Sequence, residues 1–314
     1  MRANLLVSPG RLAMQDIDIP QPGPGQVLVR VKAALTCGTD LKAFLRGHPQ
    51  IPMPGPFGHE FSGVVAAVGE GVSKFKVDDE VMSVHSAPCG DCYWCEHGQG
   101  NLCESIMESK VLGAYAEYVL VPAHIVEQNM FIKPDNLSFP EAAILEPLAC
   151  VVYGLQRVPV RHTDTVLVIG AGAIGLLFLQ TLLARDVSTV IMAGRREYRL
   201  KLAREIGASR VIDVTSQDIK EVVEQETSGR GADLVIECTG KPEVWEQATG
   251  FARRGGHVLL FGGCPKGTSV TFDTARLHYD QITLHSPFHF DPGAVEEAFV
   301  MLRDEKVKPG GLIS

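Results

Sequence analysis

Thr165-Val166-Leu167-Val168-Ile169 is a continuous apolar run, and Gly170-Ala171-Gly172-Ala173-Ile174-Gly175 follows it directly. A short apolar run that is rich in branched residues and ends in glycine reads as a buried strand. The residues after it, Leu176 to Ala184, read as a helix. G-x-G-x-x-G alone is a weak signal. Between a strand and a helix it is a strong one, because the glycines let the backbone approach a pyrophosphate at the helix N-terminus. Gly170, Gly172 and Gly175 are therefore candidate dinucleotide contacts. Val166 to Ala184 carries no charge and has the length of a membrane span. The glycines in its first half make strand plus helix the better reading.

Outward from this stretch the pattern repeats. Thr189 to Ala193 is a second strand, ending at Gly194-Arg195-Arg196. An NAD site usually places an acid near this point for the ribose 2′-hydroxyl. Glycine followed by two cations favours a 2′-phosphate, hence NADP. The plainer alternative is that Arg195 and Arg196 decorate an exposed helix start. Further strands are expected at 210–212, 234–237, 257–261 and 282–285. Helices are expected at 219–227, 243–252 and 295–303. Such alternation builds a parallel sheet with helices on both faces.

Toward the N-terminus the texture changes. Residues 1 to about 125 read as short strands between Gly/Pro turns, as in Val27 to Lys32, Val64 to Val68 and Val81 to Val84. The stretch Gly113 to Val119 leads into another strand. Two features here carry chemistry. Cys37-Gly38-Thr39-Asp40 follows the first clear strand, and Gly58-His59-Glu60-Phe61-Ser62-Gly63 follows a proline-rich loop. Singly, each has a bland reading: a buried thiol and a helix cap, or a solvated His-Glu pair. Together they offer thiolate, imidazole and carboxylate, a set that suits a zinc site with one open position. Cys89, Cys92, Cys95 and Cys103 have the spacing C-x2-C-x2-C-x7-C. Four thiolates this close suit a closed, structural zinc site, with an iron–sulfur cluster as the other four-cysteine reading. A helical segment, Glu141 to Arg157, is expected to break at Pro147. Glu146 lies among apolar neighbours there and needs a partner, either an ion pair or the same metal.

Size and composition bound the rest. The 314 residues exceed the usual single core, so two domains are expected. The net charge of -8 argues against a nucleic-acid partner. No leader is read at Met1-Arg2-Ala3-Asn4, and clustered cysteines then suggest metal before disulfides and a cytoplasmic location.

These motifs, in this order, resemble the zinc-containing medium-chain dehydrogenase/reductase family, and within it the sorbitol/polyol and threonine dehydrogenase branch. The residues that carry the resemblance are Cys37 to Asp40, Gly58 to Gly63, the four-cysteine lobe, Glu146-Pro147-Leu148 and Gly170 to Gly175. The resemblance implies an α/β protein. A β-rich GroES-like catalytic domain (1–150, lobe 89–103) would precede a Rossmann domain (151–314), with substrate in the cleft between them. It implies that Cys37, His59 and Glu60 hold a catalytic zinc, with Glu146 on the ion or its water. Thr39 would relay the alcohol proton, and Asp40 would orient His59. Ile174, Gly194 and Arg199 would lie against NADP or NAD, beside Arg195. The implied activity is hydride transfer between a polyol or other secondary alcohol and the nicotinamide, in a homodimer or homotetramer with no membrane partner. Lys42 stands where threonine dehydrogenases place histidine. Family members continue beyond a point similar to Ser314, so the expected catalytic domain lacks the family's returning segment. A catalytically impaired, dinucleotide-binding assembly module is the competing expectation. A zinc-free quinone reductase is disfavoured by Cys37, His59, Glu60 and Glu146 occurring together.

Overall fold

A computed structural model describes residues 1–313. They form two compact units. One comprises residues 1–150, 290–305 and 313, and the other 151–289 and 306–312. Residues 290–305, which the sequence reading assigned to the second domain, therefore cluster with the first.

The first unit is built on antiparallel sheets. Its strands are β1 (Arg2–Ser8), β2 (Arg11–Asp16), β3 (Val27–Leu35), β4 (Gly55–Pro56), β5 (Glu60–Val68), β6 (Glu80–Ser83), β7 (Tyr118–Val121) and β8 (Met130–Ile132). One sheet has the order β2-β1-β4 and the other β7-β3-β5-β6-β8. The core of the five-stranded sheet gathers Val27, Val29, Phe61, Val65, Val81, Val119 and Val121, while Leu6 of β1 packs with Ala43, Ile51 and Phe57. Strand β5 begins at Glu60, so the metal-binding reading falls on a strand start. Helix Pro292–Arg303 packs on helix Ala123–Asn129, and Phe299 stacks on Phe131 with ring centroids 4.5 Å apart.

Near residue 147 the expected break is displaced. Helices run Phe139–Ala142 and Leu145–Gln156. Pro147 sits in the first turn of the second helix, where a missing N–H removes no helical bond. The helix cap expected in the Cys37–Asp40 stretch is the cysteine itself. The helix Gly38–Arg46 is capped by Cys37, whose Sγ accepts from the Thr39 N–H at 3.2 Å. Asp40, in the first turn, accepts from the Cys37 N–H at 3.1 Å. This is a capping box with sulfur as the cap.

The second unit is a six-stranded parallel sheet: β9 (Thr165–Ile169), β10 (Thr189–Gly194), β11 (Arg210–Asp213), β12 (Ala232–Glu237), β13 (Ala252–Leu260) and β14 (Thr283–His285). Its order, β11-β10-β9-β12-β13-β14, is the doubly wound 3-2-1-4-5-6 arrangement, with strand order reversing between β9 and β12. The apolar stretch after Gly172 is the helix Ala173–Ala184. Among the described residues no helix is long and apolar enough to cross a membrane.

Candidate active site and metal centres

The first unit brings Cys37, Asp40, His59, Glu60 and Glu146 together from three segments: the end of β3 with its helix, the start of β5, and the helix Leu145–Gln156. Donor atoms of Cys37, Asp40 and His59 lie within 4.8 Å of one another, as do those of His59, Glu60 and Glu146. His59, Glu60 and Glu146 are each 7% exposed or less. His59 Nε2 faces Cys37 Sγ at 3.4 Å, while Nδ1 lies 3.3 Å from Asp40 Oδ1. A tetrahedral zinc with Zn–S about 2.3 Å and Zn–N about 2.0 Å would set sulfur and nitrogen roughly 3.5 Å apart, so this spacing fits.

The electrostatics point the same way. Burial, and then the charge on Glu146, pushes the Glu60 carboxyl up to about 8. Burial also raises the Cys37 thiol, although His59 opposes it. Burial alone would pull His59 down. Its bonds to Asp40 and Cys37, with the charge on Glu146, hold it well above the usual histidine value. Against the upward push of burial, His59, the Cys37 N–H and Tyr115 keep Asp40 below the usual carboxylate value. A buried acid raised by a neighbouring carboxylate, as Glu60 is by Glu146, is relieved by a divalent cation. The donor set therefore fits zinc.

Two residues at this site were missed in the sequence. His85, just beyond β6, places Nδ1 3.2 Å from Glu146 Oε1 and its ring 5.0 Å from that of His59. Tyr115 bonds Asp40 Oδ2 at 3.0 Å. A lone histidine after a strand has no spacing signature. The tyrosine sat in a stretch read only as leading into a strand. Thr39 is half-buried beside Cys37. Arg46 is exposed and His48 half-buried; Phe57 is buried core and Phe288 is largely exposed.

The second cluster is the lobe. Cys89 and Cys103 sulfurs lie 3.4 Å apart, Cys92 and Cys95 3.5 Å, and Cys89 and Cys95 3.9 Å. A tetrahedral thiolate site with Zn–S of about 2.3 Å has sulfurs about 3.8 Å apart. All four are free thiols, as are the other four cysteines.

In the second unit, Gly170, Gly172, Ile174 and Gly175 form the turn after β9 and the first turn of helix Ala173–Ala184. The N-cap, Gly172, brings no side chain to the N–H groups of that turn, which suits an anion. Gly194 closes β10 and is buried. A Cβ there would meet the Ala171 Cβ at 2.7 Å and Leu200 Cδ2 at 3.0 Å, so this backbone admits no acidic side chain at that position. Arg195 and Arg196 are exposed next to it. Arg199 Nε donates to Tyr198 Oη at 2.8 Å, and Glu197 is drawn aside by Arg204 at 2.9 Å. Cations thus surround the end of β10.

A doubly wound sheet with a glycine-rich turn in one unit, and a buried Cys/His/Glu cluster with a four-cysteine lobe in the other, together define a zinc-dependent, dinucleotide-using oxidoreductase. Comparison with known proteins agrees. Residues 23–130 match the alcohol dehydrogenase GroES-like domain, and residues 173–303 match the zinc-binding dehydrogenase domain. Sorbitol dehydrogenase of Halalkalibacterium halodurans is 32% identical over 310 residues, 97% of this chain and 88% of that protein. L-threonine 3-dehydrogenase of Bacillus subtilis is 37% identical over 266 residues, covering 82% of this chain and 75% of the relative. A zinc-binding dehydrogenase of Sinorhizobium meliloti, solved with NADP, superimposes with a TM-score of 0.87 at 31% identity, covering 98% of this chain and 89% of that one. The chain belongs to the zinc-containing medium-chain dehydrogenase/reductase family and is an alcohol dehydrogenase of that family.

Proposed function

We propose that this protein moves a hydride between a polyol or related secondary alcohol and NADP(H), with Cys37, His59, Glu60 and Glu146 holding a catalytic zinc. Cys89, Cys92, Cys95 and Cys103 hold a second, structural ion. The observation that supports the reading is the cluster around His59, where the donor sets Cys37/Asp40/His59 and His59/Glu60/Glu146 share the imidazole. The likeness to a sorbitol dehydrogenase supports the polyol class. Lys42, in place of a histidine, counts against threonine.

Each residue then has a task. Asp40 Oδ1 lies 3.3 Å from His59 Nδ1, and its charge favours a proton on that nitrogen, which would leave the Nε2 lone pair facing Cys37. Glu60 and Glu146 supply carboxylate oxygens. Zinc, when bound, supplies Lewis acidity toward the substrate oxygen. The Thr39 hydroxyl passes the alcohol proton away from that oxygen. Gly170, Gly172, Ile174 and Gly175 hold the pyrophosphate against backbone N–H groups. A nicotinamide, when bound, would supply the hydride acceptor or donor. Arg195 and Arg199, beside Gly194, receive the 2′-phosphate, and no carboxylate at Gly194 repels it. The working unit is a homodimer or homotetramer in the cytoplasm.

The impaired assembly module gains no support from the fold or the relatives. The deciding experiment is steady-state kinetics on a polyol panel with both cofactors, together with zinc per chain. Two ions and a kcat/KM at least about tenfold higher with NADP than NAD are expected. Preference for NAD would overturn the arginine assignment. One ion with no turnover would overturn the catalytic reading.

A further inference from the structure

The conformation of Gly58, next to the metal-binding pair, is explained by the side chain packed against it. Its φ is +85°, and a Cβ there would lie 2.9 Å from the ring of Tyr115. That ring is also met edge-on by Phe57, with centroids 5.3 Å apart. The ring is therefore fixed by neighbours on two sides, one of which must be glycine. Its hydroxyl is fixed as well. Oη lies 2.8 Å from the Leu35 carbonyl, 3.0 Å from Thr36 Oγ1 and 3.0 Å from Asp40 Oδ2.

One phenolic proton cannot serve three acceptors. The Thr36 hydroxyl can donate to Oη instead of accepting from it. The contest is then between a neutral carbonyl and an ionised carboxylate, and the charge-assisted bond is the stronger. Burial, and the charge of Asp40 beside it, pushes Tyr115 far above the ordinary phenol range, so the hydroxyl keeps its proton. Asp40 is 1% exposed, and its two oxygens are divided. Oδ2 takes Tyr115 and the Cys37 N–H, and Oδ1 faces His59.

We propose that Tyr115 is a positioning residue for the metal centre: its hydroxyl sets the plane of the Asp40 carboxylate, and through Asp40 the direction in which His59 presents Nε2. The chain of contacts runs Gly58, Tyr115, Asp40, His59, and it returns to the residue next to Gly58. The loop is closed, so rotation of the ligand would displace a half-buried ring held by Gly58 and Phe57. This inference rests on the assignment of a metal to the His59 cluster.

Tyr115→Phe tests it, because the ring that packs on Gly58 stays and only the hydroxyl goes. Zinc affinity is measured by chelator competition for wild type, Tyr115→Phe, Asp40→Asn and the double variant. The ligand-field spectrum of cobalt(II) at saturating metal is recorded for each. Partners of metal-binding histidines are worth about 10–100-fold in affinity. Tyr115 acts one step further out, so a loss of about 3–10-fold at the His59 site is expected, with a changed cobalt spectrum. The cysteine lobe should be unaffected. On the Asp40→Asn background the tyrosine change should add nothing. Unchanged affinity and spectrum in Tyr115→Phe would overturn the proposal. An equal loss on the Asp40→Asn background would also overturn it, since the hydroxyl would then act by another route. A wild-type chain that binds only the lobe ion would instead overturn the metal assignment, a result distinguishable from both.

Discussion

The first unit holds two clusters of metal-type donors, and they are made in opposite ways. The lobe draws four identical thiols from a stretch of fifteen residues, Cys89 to Cys103, and Cys89 is exposed. The cluster around His59 draws a thiol, an imidazole and two carboxylates from positions 37 to 146, with all but the thiol nearly closed off from water. A closed set of four sulfurs leaves an ion no vacancy, so it stiffens its loop. A mixed set drawn from distant segments has Asp40, His85 and Tyr115 packed around it, so its donors are placed by the fold of the surrounding chain. The difference is between a site that organises the chain and a site that the chain organises.

Substitutions can break that contrast. His59→Ala should lower kcat/KM on the order of a thousandfold and remove one ion of two, with the melting temperature nearly unchanged. A large fall in melting temperature would show that this ion also organises the fold. Cys103→Ser should do the reverse. It should cost about 2–5 kcal/mol of stability and the lobe ion, while molecules that remain folded keep most of their kcat. Circular dichroism melts and metal analysis on the same samples check both. Stepwise chelation at neutral pH sharpens the contrast without mutation. If the His59 ion leaves first, activity falls while far-ultraviolet circular dichroism stays constant, and added zinc restores turnover. Loss of structure before activity would reverse the order. His85→Asn is the smallest effect, about tenfold in zinc affinity at the His59 site and none at the lobe, read by chelator competition.

The same contrast explains what the sequence discloses. The lobe and the Gly170–Gly175 turn are contiguous, so spacing alone conveys their chemistry. The His59 cluster became legible only when distant segments were set side by side: donor chemistry suggested the grouping, and the family resemblance gave each residue its role. His85 and Tyr115 stayed hidden because their roles depend on where β6 ends and on how a ring meets Gly58, neither of which is a sequence pattern. Pro147 misled for a related reason. Proline breaks helix interiors but begins helices well, and the sequence does not fix which turn it occupies.

The return of residues 290–305 to the first unit has a consequence for biosynthesis. Phe131 waits for Phe299, and Phe290, whose ring meets His85 at 5.7 Å, also arrives late. At about 5–20 residues per second, the intervening residues 151–289 take roughly 7–28 s to emerge from a ribosome. For that interval the nascent unit carries an uncovered Phe131 and an incomplete wall beside His85, while the cysteine lobe, wholly local, can close at once. An early metal ion in the lobe would then serve as a clamp on an unfinished domain, and the ion at His59 would come last, after the chain has closed around it.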